Sequence, residues 1–197
     1  MIRYLALGDS YTIGEQVLLT ESFPYQLVQL ARRQGIALAA PEIIARTGWT
    51  TDELQAAMET YQFQPPYEFV SLLIGVNNQY RGRTTEEYAL QFKQLLDQAI
   101  VLAGGISQRV VVLSIPDWGV TPFAADRNRE EIAAAINCFN EINQQLASEQ
   151  AVGYIDITPG TREAATDSSL LAADALHPSP KEYRRWAERL LSYLSQK

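Results

Sequence analysis

Leu7-Gly8-Asp9-Ser10-Tyr11-Thr12 is the stretch on which the reading of the chain turns. Ile2 to Leu7 has the character of a short buried strand, and Gly8 is expected to end it. A serine then stands in a turn at a strand's carboxyl end, the edge where open α/β sheets carry their reactive groups. Gly-Asp-Ser by itself occurs in many loops. The weight given to Ser10 therefore depends on what the rest of the chain brings to the same edge.

On either side of this turn strand-like runs alternate with helical patterns, which predicts a mostly parallel sheet covered by helices on both faces. Ser22 can cap a first helix with Pro24 near its start, and Tyr25, Leu27, Leu30 and Ala31 are expected on its inner face. Leu38 to Ala45 predicts a second strand, short and near an edge because Pro41 lacks a ladder donor. Arg46-Thr47-Gly48-Trp49-Thr50 follows it, and Thr50 with Glu53 has the pattern of a capping box. Phe69 to Ile74 is the most apolar run and predicts a strand buried on both faces, delivering Gly75-Val76-Asn77-Asn78 at its end. Thr84 and Glu87 open a long helix. Val110 to Ile115 predicts a fourth strand, followed by a loop carrying Trp118.

A helix from about Arg127 to Glu149 shows Ile132, Ile136, Phe139, Ile142 and Leu146 at helical spacing. Cys138, set among alanines and Phe139 in that helix, is expected to be a small buried hydrophobe. Val152 to Ile157 predicts a fifth strand. A loop of roughly twenty residues, long enough to suggest a functional role, leads to Asp174-Ala175-Leu176-His177. Ser179, Pro180 and Glu182 then open a last helix that buries Tyr183, Trp186, Leu190 and Leu194. Five strands and five helices in a flavodoxin-like order are the expectation, a three-layer α/β/α sandwich, with right-handed crossovers limiting the alternatives. The candidate loops follow strands one, two, three and five, so a parallel sheet gathers them on one edge.

The 197 residues are expected to form one domain, 1–197, with an ordinary globular balance of 47% hydrophobic and 20% charged residues. A net charge of −7 argues against nucleic acid as a partner and disfavours anionic membranes. No apolar run approaches the roughly 20 residues that span a bilayer. No secretion signal is visible ahead of the first strand, and a single cysteine excludes an internal disulfide. A cytoplasmic location is the expectation, with secretion after removal of a leader as the alternative. One histidine and one cysteine cannot build an ordinary zinc site, although carboxylates can hold magnesium weakly. The glycines match neither dinucleotide nor P-loop spacing, so no cofactor is expected.

Taken in order, Gly8-Asp9-Ser10, Gly48, Gly75-Val76-Asn77 and Asp174-x-x-His177 resemble the four sequence blocks of the SGNH (GDSL-type) hydrolases. The resemblance spans nearly the whole chain. It implies a serine hydrolase acting on a small-molecule ester, with the Ser10 and Gly48 amides and the Asn77 side chain binding the oxyanion. The residues support that chemistry directly. A serine hydroxyl is inert at its free pKa and needs a base such as His177, and Asp174, three residues away, can hold the ring's other nitrogen.

Bland readings stand beside these. Gly48 can simply end a turn, Asn77 can form one, and His177 can be a surface residue at a helix start. Trp118 and Trp49 can each line an acyl pocket or anchor a loop, whereas Trp186 reads as core. Two positions depart from the family pattern: Asn78 stands where aspartate is common, and Glu182 precedes Tyr183 where glycine is common. Neither touches a proposed reacting group. The missing second glycine of an α/β-hydrolase elbow disfavours that superfamily. The expected activity is hydrolysis of small carboxylic esters. Alternatives are a carbohydrate deacetylase, a thioesterase, a lysophospholipase, or a non-catalytic acyl- or carbohydrate-binding module. The residues leave oligomeric state open.

Overall fold

In the computed structural model, which describes residues 1–196, five parallel strands form one sheet in the order β2-β1-β3-β4-β5. The strands are β1 (Tyr4–Asp9), β2 (Glu42–Arg46), β3 (Phe69–Leu73), β4 (Val110–Leu113) and β5 (Gly153–Ile155). This is the flavodoxin-like order, and it places β2 at an edge. Pro41 lies just outside its strand, where its missing N–H breaks no ladder bond. The central β1 and β3 are buried along their whole length, which is why they read as continuous apolar runs.

β1 does not stop at Gly8 as the sequence suggested. It pairs through Gly8 with Ala45 on one side and Leu73 on the other, and ends at Asp9. Glycine serves there by size: a Cβ at position 8 would lie 2.4 Å from the Leu73 carbonyl oxygen and 2.1 Å from Thr12 Oγ1. The chain thus turns back tightly enough for Thr12 to pack over the strand it has just left.

The long helices are α2 (Phe23–Arg33), α3 (Thr51–Thr60), α5 (Thr85–Leu102), α6 (Arg129–Glu149) and α8 (Pro180–Leu194). Three short ones, α1 (Ser10–Ile13), α4 (Val76–Tyr80) and α7 (Thr158–Arg162), were not foreseen. They follow β1, β3 and β5 and are too short to show a period. α2 packs on α8, while α5 packs on α3 and α6. Fully buried Phe23, Tyr183 and Trp186 join α2 to α8, with ring centroids 5.9 Å (Phe23–Trp186) and 5.2 Å (Tyr183–Trp186) apart. Each such aromatic or aliphatic side chain removed from water contributes about 1.5–3 kcal/mol.

Caps form partly as foreseen. Thr84 and Ser179 accept from the Glu87 and Glu182 amides, but those glutamates turn instead to Arg83 and to Trp186 and Arg185. Ser22 sits at the N-cap of α2, yet its hydroxyl donates backward to the Leu19 carbonyl.

α6 corrects two expectations. Its buried stripe runs Ile132, Ile136, Phe139, Asn143 and Ala147, so Ile142 and Leu146 are only half-buried. Asn143 is half satisfied inside: its Oδ1 accepts the buried Tyr88 hydroxyl at 2.7 Å, while its Nδ2 is buried without a hydrogen-bond partner. Cys138 is exposed rather than buried. Six residues past Ile132, it lies about 240° around the helix from that stripe's start. Among the described residues, no helix is long and apolar enough to cross a membrane.

Candidate active site

All five sequence-derived candidates lie beyond the carboxyl ends of the strands. Ser10 opens α1 after β1, Gly48 follows β2, Asn77 sits in α4 after β3, and Asp174 and His177 lie beyond β5. Ser10, Gly48, Asn77 and His177 line one cavity of about 180 Å³, together with Tyr11, Thr47, Val76, Tyr80, Trp118, Phe123 and Leu176.

The serine, histidine and aspartate form a chain of contacts. Ser10 Oγ is 3.0 Å from His177 Nε2, and His177 Nδ1 is 2.5 Å from Asp174 Oδ2. Asp174 Oδ1 also accepts the backbone N–H groups of Leu176 and His177 at 3.1 and 3.0 Å. The turn demands a left-handed residue at Ala175, φ 56°. A short bridge between Leu171 and Pro178 closes the loop, with Ala172 N–H donating to the His177 carbonyl. Burial pushes the Asp174 carboxyl up, but the hydrogen bonds from the His177 ring and from the two amides outweigh it. The group is held below the usual carboxylate range. Tyr11 packs on the other side of the imidazole, ring centroids 5.1 Å apart.

Asp9, beside the serine, was not singled out in the sequence. It is fully buried, and its Oδ1 accepts the Tyr11 amide at 3.0 Å. Burial pushes its carboxyl up to about 7, the amide hydrogen bonds offsetting only part of the effect. Its Oδ2 lies 3.5 Å from Asn77 Nδ2, which donates at 3.0 Å to the Trp49 carbonyl. Gly48 adopts φ 84°, a conformation strained for any side-chain-bearing residue, so glycine is required by its backbone and not only as turn punctuation. The adjacent Asn78 is buried and braces the start of α3, accepting the Thr51 amide and donating to its hydroxyl. It works inside the scaffold, away from the cavity.

Of the two ambiguous tryptophans, Trp118 lines the cavity and is also held firmly. Its Nε1–H donates to Gln79 Oε1 at 2.7 Å, and its ring meets Tyr80 and Phe123 at 5.2 and 6.0 Å. Trp49 is half-buried against the core and contributes its carbonyl. Trp186 is core, as expected. Beyond Tyr80 and Trp118 lies an open groove of about 480 Å³ lined by Arg83, Asp126, Arg127, Asn128 and Glu131.

A hydroxyl, an imidazole and a carboxylate thus stand in line at the end of a parallel sheet and beside a mostly apolar cavity. The sequence matches the model of the GDSL-like Lipase/Acylhydrolase family over residues 6–185, so the chain belongs to that family, and it is a carboxylic ester hydrolase. Among solved structures, it is similar to a member of the lipolytic protein G-D-S-L family from Veillonella parvula DSM 2008. That match has 18% identity, a TM-score of 0.77, and covers 100% of both chains. It is also similar to the psychrotrophic esterase EstA from Pseudoalteromonas sp., with 15% identity and a TM-score of 0.72, covering 100% of this chain and 98% of the other. An acetyl-xylooligosaccharide esterase from Geobacillus matches at 17% identity and a TM-score of 0.77, covering 98% and 94%. At these identities the likeness is one of fold. No curated protein sequence matches the chain.

Proposed function

We propose that the protein hydrolyses esters of small carboxylic acids through a Ser10-His177-Asp174 triad. The observation that carries this reading is the unbroken contact chain from Ser10 Oγ through both imidazole nitrogens to Asp174. His177 Nε2 takes the hydroxyl proton as Ser10 Oγ attacks the ester carbonyl carbon. The carbonyl oxygen becomes an oxyanion, received by the Ser10 and Gly48 amides and the Asn77 side chain. Asp174 stabilises the imidazolium and fixes its orientation. Collapse of the tetrahedral species expels the alcohol, which leaves with the proton from Nε2. Water, deprotonated by His177, then cleaves the acyl-serine and releases the acid.

The size of the site supports short acyl groups. Its cavity of about 180 Å³ lies below the roughly 300–1,000 Å³ of sites that enclose drug-sized ligands. The neighbouring groove, lined by both donors and acceptors, favours one second reading: a hydroxyl-rich leaving group, as in deacylation of an acylated sugar.

A p-nitrophenyl ester series from acetyl to decanoyl, run on the parent and on Ser10→Ala, tests the proposal. Turnover should peak at the short end, and Ser10→Ala should lose at least about 10³-fold in kcat while keeping its fold by circular dichroism. If Ser10→Ala retains more than a few per cent of the activity, another nucleophile operates. Absence of turnover at every length would favour the binding-module alternative.

A further inference from the structure

We propose that Arg81 is a positioning residue that holds the Gly48 turn in its oxyanion-binding orientation. The proposal rests on the assignment of Gly48 as an oxyanion donor. Arg81 follows directly after α4, and its backbone N–H closes a helical hydrogen bond to the Asn77 carbonyl at 3.0 Å. Four residues apart, the two side chains lie on one face of this short helix. Both reach across to the loop after β2. Arg81 Nη2 donates to the Gly48 carbonyl at 2.6 Å, and Asn77 Nδ2 donates to the next carbonyl, that of Trp49. Residues 48 and 49 are thereby clamped at consecutive peptides from a single turn of helix.

The clamp matters because of what Gly48 is. Its N–H and its C=O belong to consecutive peptide planes that pivot about a Cα without a side chain. Glycine places little local restraint on either plane. At φ 84° Gly48 is held from inside the turn only by the Trp49 N–H bond to the Arg46 carbonyl, long at 3.2 Å, so a contact from outside the loop adds restraint. Thr47 Oγ1 bonds to Glu15 on one side of the pivot, and the Arg81 guanidinium captures the Gly48 carbonyl on the other. Holding that carbonyl fixes the plane that follows the Gly48 Cα and so narrows the orientations left to the Gly48 N–H on the plane before it. The second guanidinium contact, Nη1 to Glu53 at 3.4 Å, joins two half-exposed side chains and adds little stability, though it restrains the arginine. The same α4 thus presents one donor through Asn77 and aligns another through Arg81.

Substitution at Arg81 separates alignment from binding and from folding. Arg81→Ala and Arg81→Lys are compared with the parent on p-nitrophenyl acetate, and their affinity is measured for a boronic acid that forms a reversible tetrahedral adduct on serine. Arg81→Ala should lower kcat about tenfold or more with KM changed by less than about threefold, because a misplaced donor is felt mainly in the transition state. Boronate affinity should fall by the same factor as kcat. Lysine, which carries a single point donor in place of the two-pronged guanidinium, should recover only part of the loss. The melting temperature should stay near that of the parent, since the side chain is 42% exposed. An unchanged kcat, or a raised KM with kcat preserved, overturns the proposal while the parent's dependence on Ser10 stands. Full activity in Ser10→Ala would instead remove the serine mechanism, and this role with it.

Discussion

Asp174 holds His177 at two places at once: Oδ2 meets the ring Nδ1 at 2.5 Å, and Oδ1 accepts the same residue's backbone N–H at 3.0 Å. Side chain and main chain of the histidine are therefore oriented by one carboxylate, with the left-handed Ala175 as the hinge of the turn. In Asp174→Asn the amide oxygen can keep the two backbone bonds, but its N–H groups face a nitrogen that should itself donate. The wrong tautomer is then favoured. A loss in kcat of about 10⁴-fold is expected, with little change in melting temperature. A loss below tenfold would mean that His177 is oriented by something else.

Asn77→Ala removes a proposed oxyanion donor and also the bond to the Trp49 carbonyl. The expected outcome is a drop of about 10²–10³ in kcat with KM little affected. Steady-state kinetics on a short ester decide it. A raised KM with kcat intact would make Asn77 an ordinary substrate-binding residue.

Asp9 carries the clearest pH dependence of stability. Its carboxyl is pushed by burial up to about 7, against an ordinary 3.8. Because the folded protein holds this proton more tightly than the unfolded chain, the group's contribution is complete below about pH 4. It is lost as pH rises through 7, amounting to as much as roughly 4 kcal/mol. Asp9→Asn cannot titrate, so its stability relative to the parent should increase between pH 4 and 8. Urea unfolding at pH 4.5, 6 and 8 measures the difference. Parallel curves for the two proteins would show that Asp9 does not titrate in that window.

Trp118 walls the Ser10 cavity and is fixed by Gln79, Tyr80 and Phe123. Behind it, and behind Tyr11 and Leu176, lies a narrow crevice of about 20 Å³. Replacing the indole by a smaller apolar group, Trp118→Leu, should lengthen the acyl chain that is accepted. The kcat/KM ratio of octanoyl to acetyl ester should rise at least about tenfold, since each added methylene that finds apolar room contributes about 0.8 kcal/mol. An unmoved ratio would place the limit on chain length elsewhere.

Residue pattern alone predicts the alternation of strands and helices, the flavodoxin-like sheet and the edge on which the four motifs meet. Long apolar periods report burial averaged over many residues, and parallel strands send every connecting loop after them to the same end. Asp174 and His177 were legible for a similar reason: their partnership is local, three residues apart.

Other features arise only in the packed chain. α1 and α4, which carry Ser10 and Asn77, have four and five residues, too few to show a helical period. Cys138 lies outside and Asn143 takes a buried place beside Ile142 because a modest rotation of α6 chooses which near-equivalent stripe faces inward. The burial of Asp9, the bond from Asn77 to Trp49 and the grip of Arg81 on Gly48 join residues that only the packing of β1, β2 and β3 brings together. Their chemistry depends on the last few ångströms of approach. Residue type and spacing indicate which groups share an edge; only the packed backbone determines which of them touch.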